Sequence, residues 1–516
     1  MFKLFLGKIY TSFKPLRSVE AMLVGFGRVL WIGDAKRGEA LCRELVCEAI
    51  DLGNSIALPG FVDAHAHLEG VGRNIRIVDL RNVESIEELK EKLRSYASRT
   101  TSDWIVGRGW DQEKFREKRW PTKLDLDEVS RDRKVLIVRV CGHAGVVNSR
   151  VIEELKLVEI FGSNPNLVRD ERGEPTGIVL EEVLSYVYGK YRESEEIEEL
   201  IDEGQREFLR YGVTGIGYVS VDLRALVGVL SLASMKKLKL RASLYLDLET
   251  VEKLKDLGIP LRSLGIDRAK IVGIKIFADG SLGARTAWLS KPYSDDPTNS
   301  GTPLIDAKKL RYVIEMARDL DLSVAIHAIG DRALDLVLKV VEETSAAEMV
   351  RIEHASIVRD DQLDALAKLR IPLVVQPHFV ITDWWVVKRV GTERARYVYR
   401  FRDFVEKNIP TAFSTDAPVE PVNPWETIYA AITRGKDDGI ELYEHTRDQV
   451  LDLATALYLY TEASARIAGI ENVGKLEPGY LADIAVIDRD PFELEPREIR
   501  RISNAATYIE GERVYP

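Results

Sequence analysis

Cysteine and histidine are scarce in this 516-residue chain, three of the former and seven of the latter. Cys42, Cys47 and Cys141 have neither the number nor the spacing of a disulfide framework or a zinc knuckle, so free thiols in a reducing cytoplasm are expected. No apolar run approaches the roughly 20 residues that cross a bilayer, and the stretch from Met1 to Lys8 is too short for a secretory signal. A membrane span is therefore not expected. Long basic runs are missing too. With 73 basic and 83 acidic residues the net charge is −10, which argues against nucleic acid or an anionic membrane surface as a partner. Low-complexity tracts and internal repeats are absent. The remainder is 45% hydrophobic and 30% charged, which suits a globular protein with ample core material.

Both ends read as β structure. Residues 21–33 carry β-branched and aromatic side chains around glycines, a hairpin signature. Residues 482–488 and 506–515 repeat that flavour. One small β-sandwich is expected from residues 1–57 together with 473–516. The Gly25-Phe26-Gly27 step lacks the third glycine and following helix of a dinucleotide loop, so that reading is discarded. Between the ends, short apolar runs alternate with helical patterns, the signature of parallel βα units. Strands are expected near 58–67, 213–219, 241–247, 271–278, 322–327, 349–354, 371–376 and 410–415, eight in all. The fold class is α/β, a (β/α)8 TIM-type barrel over 58–69 and 201–472. Residues 70–200 are too long for a loop and contain their own strand-like run at 134–140, so they are expected to form an inserted subdomain over the barrel mouth.

Two of the seven histidines stand one residue apart at the end of an apolar run, Phe61-Val62-Asp63-Ala64-His65-Ala66-His67. Residues i and i+2 of a strand share a face, so both imidazoles can reach one metal ion. Other ionisable residues sit at or within the expected strands: Lys275 in the fourth, His327 closing the fifth, His354 the sixth and Asp416 just past the eighth. Active sites of such barrels lie at the C-terminal strand ends. Taken singly, each residue has an ordinary reading. A histidine can be a satisfied core residue, Asp416 can cap the next helix, and Lys275 can snorkel or pair with Asp279. Taken jointly, they point to a metal site.

The arrangement resembles the amidohydrolase superfamily, and within it the YtcJ-like, amidohydrolase-3 branch that includes N-substituted formamide deformylases. The resemblance rests on Leu58-Pro59-Gly60-Phe61-Val62-Asp63-Ala64-His65-Ala66-His67, on Lys275-Ile276-Phe277-Ala278-Asp279-Gly280-Ser281-Leu282-Gly283-Ala284-Arg285, on His327-Ala328-Ile329-Gly330-Asp331-Arg332-Ala333, on Ser414-Thr415-Asp416-Ala417-Pro418-Val419 and on Gly474-Lys475-Leu476-Glu477-Pro478-Gly479. It covers essentially the whole chain. It implies that His65 and His67 hold one divalent ion and His327 and His354 a second, with zinc expected. Lys275, carboxylated by CO2, would bridge them, and Asp416 would bind beside the hydrolytic water. An unmodified Lys275 beside a single zinc is the alternative.

The activity so implied is hydrolysis of a non-peptide C–N bond in a small molecule, an amide or N-substituted formamide, by a metal-bound hydroxide. Asp416 would shuttle the proton to the departing amine. His143 is a second catalytic candidate, contacting the substrate carbonyl. Gln376, His378, Asp279, Arg285 and Trp110 are further candidates for the substrate pocket, with Phe379, Trp384 and Trp385 as apolar lining. A plain structural role is the alternative for each. Rival readings are a deaminase, a lactonase or phosphotriesterase, and a non-catalytic relic barrel. Deaminases of this type often carry a glutamate three residues after the strand-five histidine, where this chain has Gly330. The resemblance also implies a homodimer.

Overall fold

The structure is a computed structural model describing residues 2–516. It divides into two compact units, one formed by the chain up to Val71 together with Ile201–Pro516, the other by Gly72–Leu200.

Eight parallel strands organise the first unit: Phe61–Ala66, Val213–Val221, Arg241–Asp247, Ala269–Phe277, Ser323–Ala328, Val350–His354, Leu373–Val375 and Thr411–Phe413. Each pairs with its predecessor in the sequence. The eight expected runs all appear, because strands buried on both faces must be nearly continuous apolar segments. The ends of the sheet meet where Asp416 N donates to His65 O at 2.9 Å and His67 N to Ala417 O at 2.8 Å, so the barrel is nearly closed. Helices follow most strands, several of them started by an aspartate whose carboxylate accepts a first-turn N–H: Asp222 from Ala225 N, Asp247 from Thr250 N and Asp306 from Lys309 N.

The chain ends build a mixed seven-stranded sheet in the same unit. Ile484–Ile487 pairs antiparallel with Glu48–Pro59, which in turn lies parallel to Lys3–Phe13. Phe5, Met22, Ala57, Ile484 and Tyr508 share one core. The strands are hydrogen-bonded as one continuous sheet, where two stacked layers were expected. The cysteine expectation also needs correction. Helix Ala35–Leu45 ends at Val46 in the left-handed region (φ 52°), which turns the chain back. Cys47 N reaches Cys42 O, and the two cysteines, with Cα atoms 4.9 Å apart, form a disulfide.

Gly72–Leu200 has its own six-stranded sheet. Ile77–Asp79, Trp104–Trp110 and Lys134–Arg139 are parallel, and Ala144–Val147, Pro175–Leu180 and Leu167–Arg169 continue it antiparallel. Trp110 is fully buried in this unit's core among Leu80, Phe115, Leu126 and Ile137. Its ring stacks on Phe115 at 6.1 Å and meets the edge of Trp120 at 5.3 Å. This corrects its assignment to a substrate pocket, since the aromatic side chain serves packing instead. Among the described residues no helix is long and apolar enough to cross a membrane.

Candidate metal centre

The C-terminal ends of strands one, four, five, six and eight bring the ionisable residues together. His65 and His67 share a face of the first strand, and the Asp416 carboxylate lies between them, 3.2 Å from His65 Nε2 and 3.1 Å from His67 Nε2. His354 stands beside His65 with ring centroids 5.1 Å apart, and His327 beside His354 at 4.4 Å. One donor atom each from His65, His354 and Asp416 falls within 4.8 Å of the others. His67 joins through Asp416, and His327 through His354.

Lys275 points into the barrel from the fourth strand. It is 2% exposed, and its ammonium has no hydrogen-bond partner; the Phe277 ring lies 4.9 Å away. Burial pushes this amine down to about 8, against the pull of the Glu353 and Asp416 carboxylates. The same burial, with the Lys275 charge, lowers His327 to about 3, while burial and His327 hold His354 well below the usual histidine value. Both are therefore neutral imidazoles, the form that ligates metals. Burial alone would raise Asp416, but the neighbouring histidines more than offset this and keep it ionised. Neutral imidazoles, an anionic carboxylate and an unsatisfied lysine amine make a donor set that fits a divalent cation.

Residues 48–515 match the sequence profile of the amidohydrolase family. The chain belongs to that family. It is 32% identical to the YtcJ protein of Bacillus subtilis (strain 168), over 99% of this chain and 98% of that protein. It is 25% identical to the N-substituted formamide deformylase of Arthrobacter pascens, over 95% of this chain and 94% of that enzyme. Among solved structures, an uncharacterized metal-dependent hydrolase from Pyrococcus horikoshii superposes with a TM-score of 0.83 at 40% identity, covering 96% of this chain and 99% of that one.

In this amidohydrolase the other expected site residues are distributed unevenly. Gln376 is buried, bonded through Oε1 to His354 Nδ1 at 2.8 Å and through Nε2 to Ser414 Oγ at 2.8 Å, so it orients a histidine. Asp279 accepts the backbone N–H groups of Trp288, Ile329 and Gly330 at 2.8, 3.0 and 2.7 Å. Fully buried and raised to about 6 by that burial, it scaffolds the loops after strands four and five, with Oδ1 3.6 Å from His327 Nε2. Arg285 is committed to Asp295 by a two-pronged contact at 3.2 and 2.9 Å. His378 is buried against Glu420. Phe379 stacks on His354 at 6.2 Å, Trp385 lies under the Arg389 guanidinium at 5.1 Å, and Trp384 is exposed. His143 belongs to the Gly72–Leu200 unit, where its imidazole is 74% exposed and lies 3.3 Å from Glu181.

Three buried residues of the site escape the sequence reading. Asp63 accepts His65 N at 3.2 Å, Thr415 N at 3.1 Å and the Tyr460 hydroxyl at 3.1 Å, bracing strand one against the end of strand eight. Glu353 contacts His65, and Arg351 contacts Glu353. The visible signal was two opposite charges, i and i+2, inside the apolar strand Val350–His354.

Proposed function

We propose that the protein is a metal-dependent hydrolase that cleaves a non-peptide carbon–nitrogen bond, an amide or N-substituted formamide. His65, His67, Lys275, His327, His354 and Asp416 are the ligand set for one or two divalent ions, zinc first among them. The observation that carries this reading is the Lys275 amine, buried and unpartnered beside three histidines and an aspartate. An isolated ammonium there is a costly way to fill a core. Addition of CO2 to the neutral amine, with release of one proton, turns it into an anionic carbamate able to neutralise cations. When bound, the metal supplies an acidified water and polarises the scissile carbonyl. Asp416, ionised and within reach of the first-strand histidines, accepts a proton and returns it to the departing nitrogen.

The amide reading draws support from the similarity to the formamide deformylase. Gly330 weighs against a ring deaminase, since a Cβ at that position would lie 2.0 Å from the Trp288 carbonyl oxygen. A glutamate there would have to displace the backbone.

Elemental analysis of protein purified without chelators is expected to return zinc, manganese, nickel, cobalt or iron at one to two equivalents. A panel of N-acyl amines, formamides, lactones and aminated heterocycles is expected to show amine release from the first two classes. Metal-free protein with no uptake on titration overturns the proposal. Ammonia released from a heterocycle, with amides untouched, replaces it by the deaminase.

A further inference from the structure

We infer that Glu353, backed by Arg351 and Tyr245, is a positioning residue that fixes His65 with Nδ1 protonated and Nε2 directed at the metal cluster. The inference rests on the metal-centre reading above and adds to it a reason why His65 presents the correct nitrogen.

The two nitrogens of His65 have separate partners. Nδ1 contacts Glu353 Oε2, while Nε2 lies 3.2 Å from Asp416 Oδ1 on the cluster side. A carboxylate only accepts hydrogen bonds, so contact with Glu353 places a proton on Nδ1, and a cation that displaces the proton between Nε2 and Asp416 would meet the Nε2 lone pair. Glu353 is itself held. Its second oxygen lies 2.7 Å from Arg351 Nε as an ion pair, off hydrogen-bond alignment. Arg351 Nη2 donates to the carbonyl of Ala64 at 3.0 Å, one residue before His65, so the same guanidinium grips both the carboxylate and the first strand. Its plane lies 3.9 Å from the Tyr245 ring centroid.

Space for this stack is made by a glycine. A Cβ on Gly273 would lie 2.5 Å from the Tyr245 ring and 2.7 Å from Ser323 Oγ. Only the missing side chain on strand four lets the Tyr245 ring occupy the barrel interior under Arg351. Glu353, His65 and Arg351 are 0%, 1% and 3% exposed, so water offers no substitute partner. Carboxylate–histidine–metal arrangements of this kind set ligand orientation and basicity, and losing the outer partner typically weakens metal binding about 10–100-fold.

The decisive variant is Glu353→Gln, which keeps the shape and removes the charge. Glutamine presents Nδ1 either with its NH2, which forces the His65 proton onto Nε2, the wrong nitrogen, or with a neutral oxygen that holds the Nδ1 proton less strongly than a carboxylate. Chelator-stripped protein, titrated with zinc against a chromophoric competitor, is expected to show at least a 10-fold loss of affinity for Glu353→Gln. A smaller loss is expected for Glu353→Asp, which restores the charge, and for Gly273→Ala, which acts only through Tyr245 and Arg351. Zinc affinity of Glu353→Gln within twofold of wild type overturns the inference. Wild-type protein that binds no zinc overturns the metal-centre reading itself. Should Glu353→Gln fail to fold, the 15N spectrum of histidine-labelled, zinc-loaded wild type decides. His65 bound through Nε2 with a protonated Nδ1 supports the inference, and zinc on Nδ1 refutes it.

Discussion

Lys275→Met in the metal-free protein separates stability from function. Methionine matches the length of the lysine stem and needs no hydrogen bond, whereas the native ammonium is buried without one. The amine is lowered from 10.5 to about 8 in the folded chain. At ~1.36 kcal/mol per pKa unit, the folded protein therefore gives up ~3 kcal/mol at pH 7. The sign follows from proton counting. Between pH 8 and 10.5 the unfolded chain binds more protons at this position than the folded one, so wild-type stability rises with pH across that window. Below it the full penalty stands, and by pH 10 less than ~1 kcal/mol remains. Urea unfolding in chelator is thus expected to show Lys275→Met more stable than wild type by ~3 kcal/mol at pH 7, beyond any packing change, with that lead shrinking by more than half at pH 10. Zinc is expected to reverse the order. At a thousand times its Kd it adds ~4.1 kcal/mol to wild type and little to a variant that has lost a ligand. A Lys275→Met lead that is absent at pH 7, or that does not change with pH, refutes the reasoning.

Trp110→Ala is expected to cost ~3–5 kcal/mol by opening a cavity in the core of the Gly72–Leu200 unit, read as a lowered urea midpoint. Asp279→Ala strands the amides of Trp288, Ile329 and Gly330. At ~1–3 kcal/mol for each buried donor left unpaired, a loss of ~3 kcal/mol or more is expected in thermal unfolding, and an unchanged midpoint would show that water replaces the carboxylate. Reducing Cys42–Cys47 opens a loop of only five residues' separation. Stability should fall by only ~2 kcal/mol by the loop-entropy relation, with hydrolytic turnover unaffected.

The barrel was legible because its strands are enclosed on both faces, so apolar runs such as Ile271–Ile276 stand out between amphipathic helices. Against that background the charged and imidazole residues at strand ends were conspicuous, and His65, His67, Lys275, His327, His354 and Asp416 stood out by position as candidates, with their ligand roles coming from the resemblance. Residues whose role depends on a partner far away in sequence were not. Asp279 reads as one more polar residue after a strand, and only the loops that donate three amides to it show that it is scaffolding. Trp110 looks like a pocket aromatic until the sheet of its own unit closes over it. The disulfide depends on a single left-handed residue, Val46, which no propensity would place there.

Left-handed backbone also explains how the sixth strand serves the site twice. Alternation along Val350–His354 puts Arg351 and Glu353 on one face and should put His354 on the other. Yet both Glu353 and His354 reach His65. The strand ends with His354 at φ 74° and Ala355 at φ 43°, and that departure from extended geometry swings His354 back over the barrel interior. Asp416, past the eighth strand, has φ 57° and likewise turns its carboxylate in toward strand one. Such conformations cost ~1–3 kcal/mol each in non-glycine residues, and they persist only where surrounding contacts enforce them. Here those contacts are the Gln376 bond to His354 and the hydrogen bond from Asp416 N to His65 O. The strain falls on two proposed ligands, which is why periodicity could nominate His354 but could not foresee that its neighbour Glu353 shares the same interior.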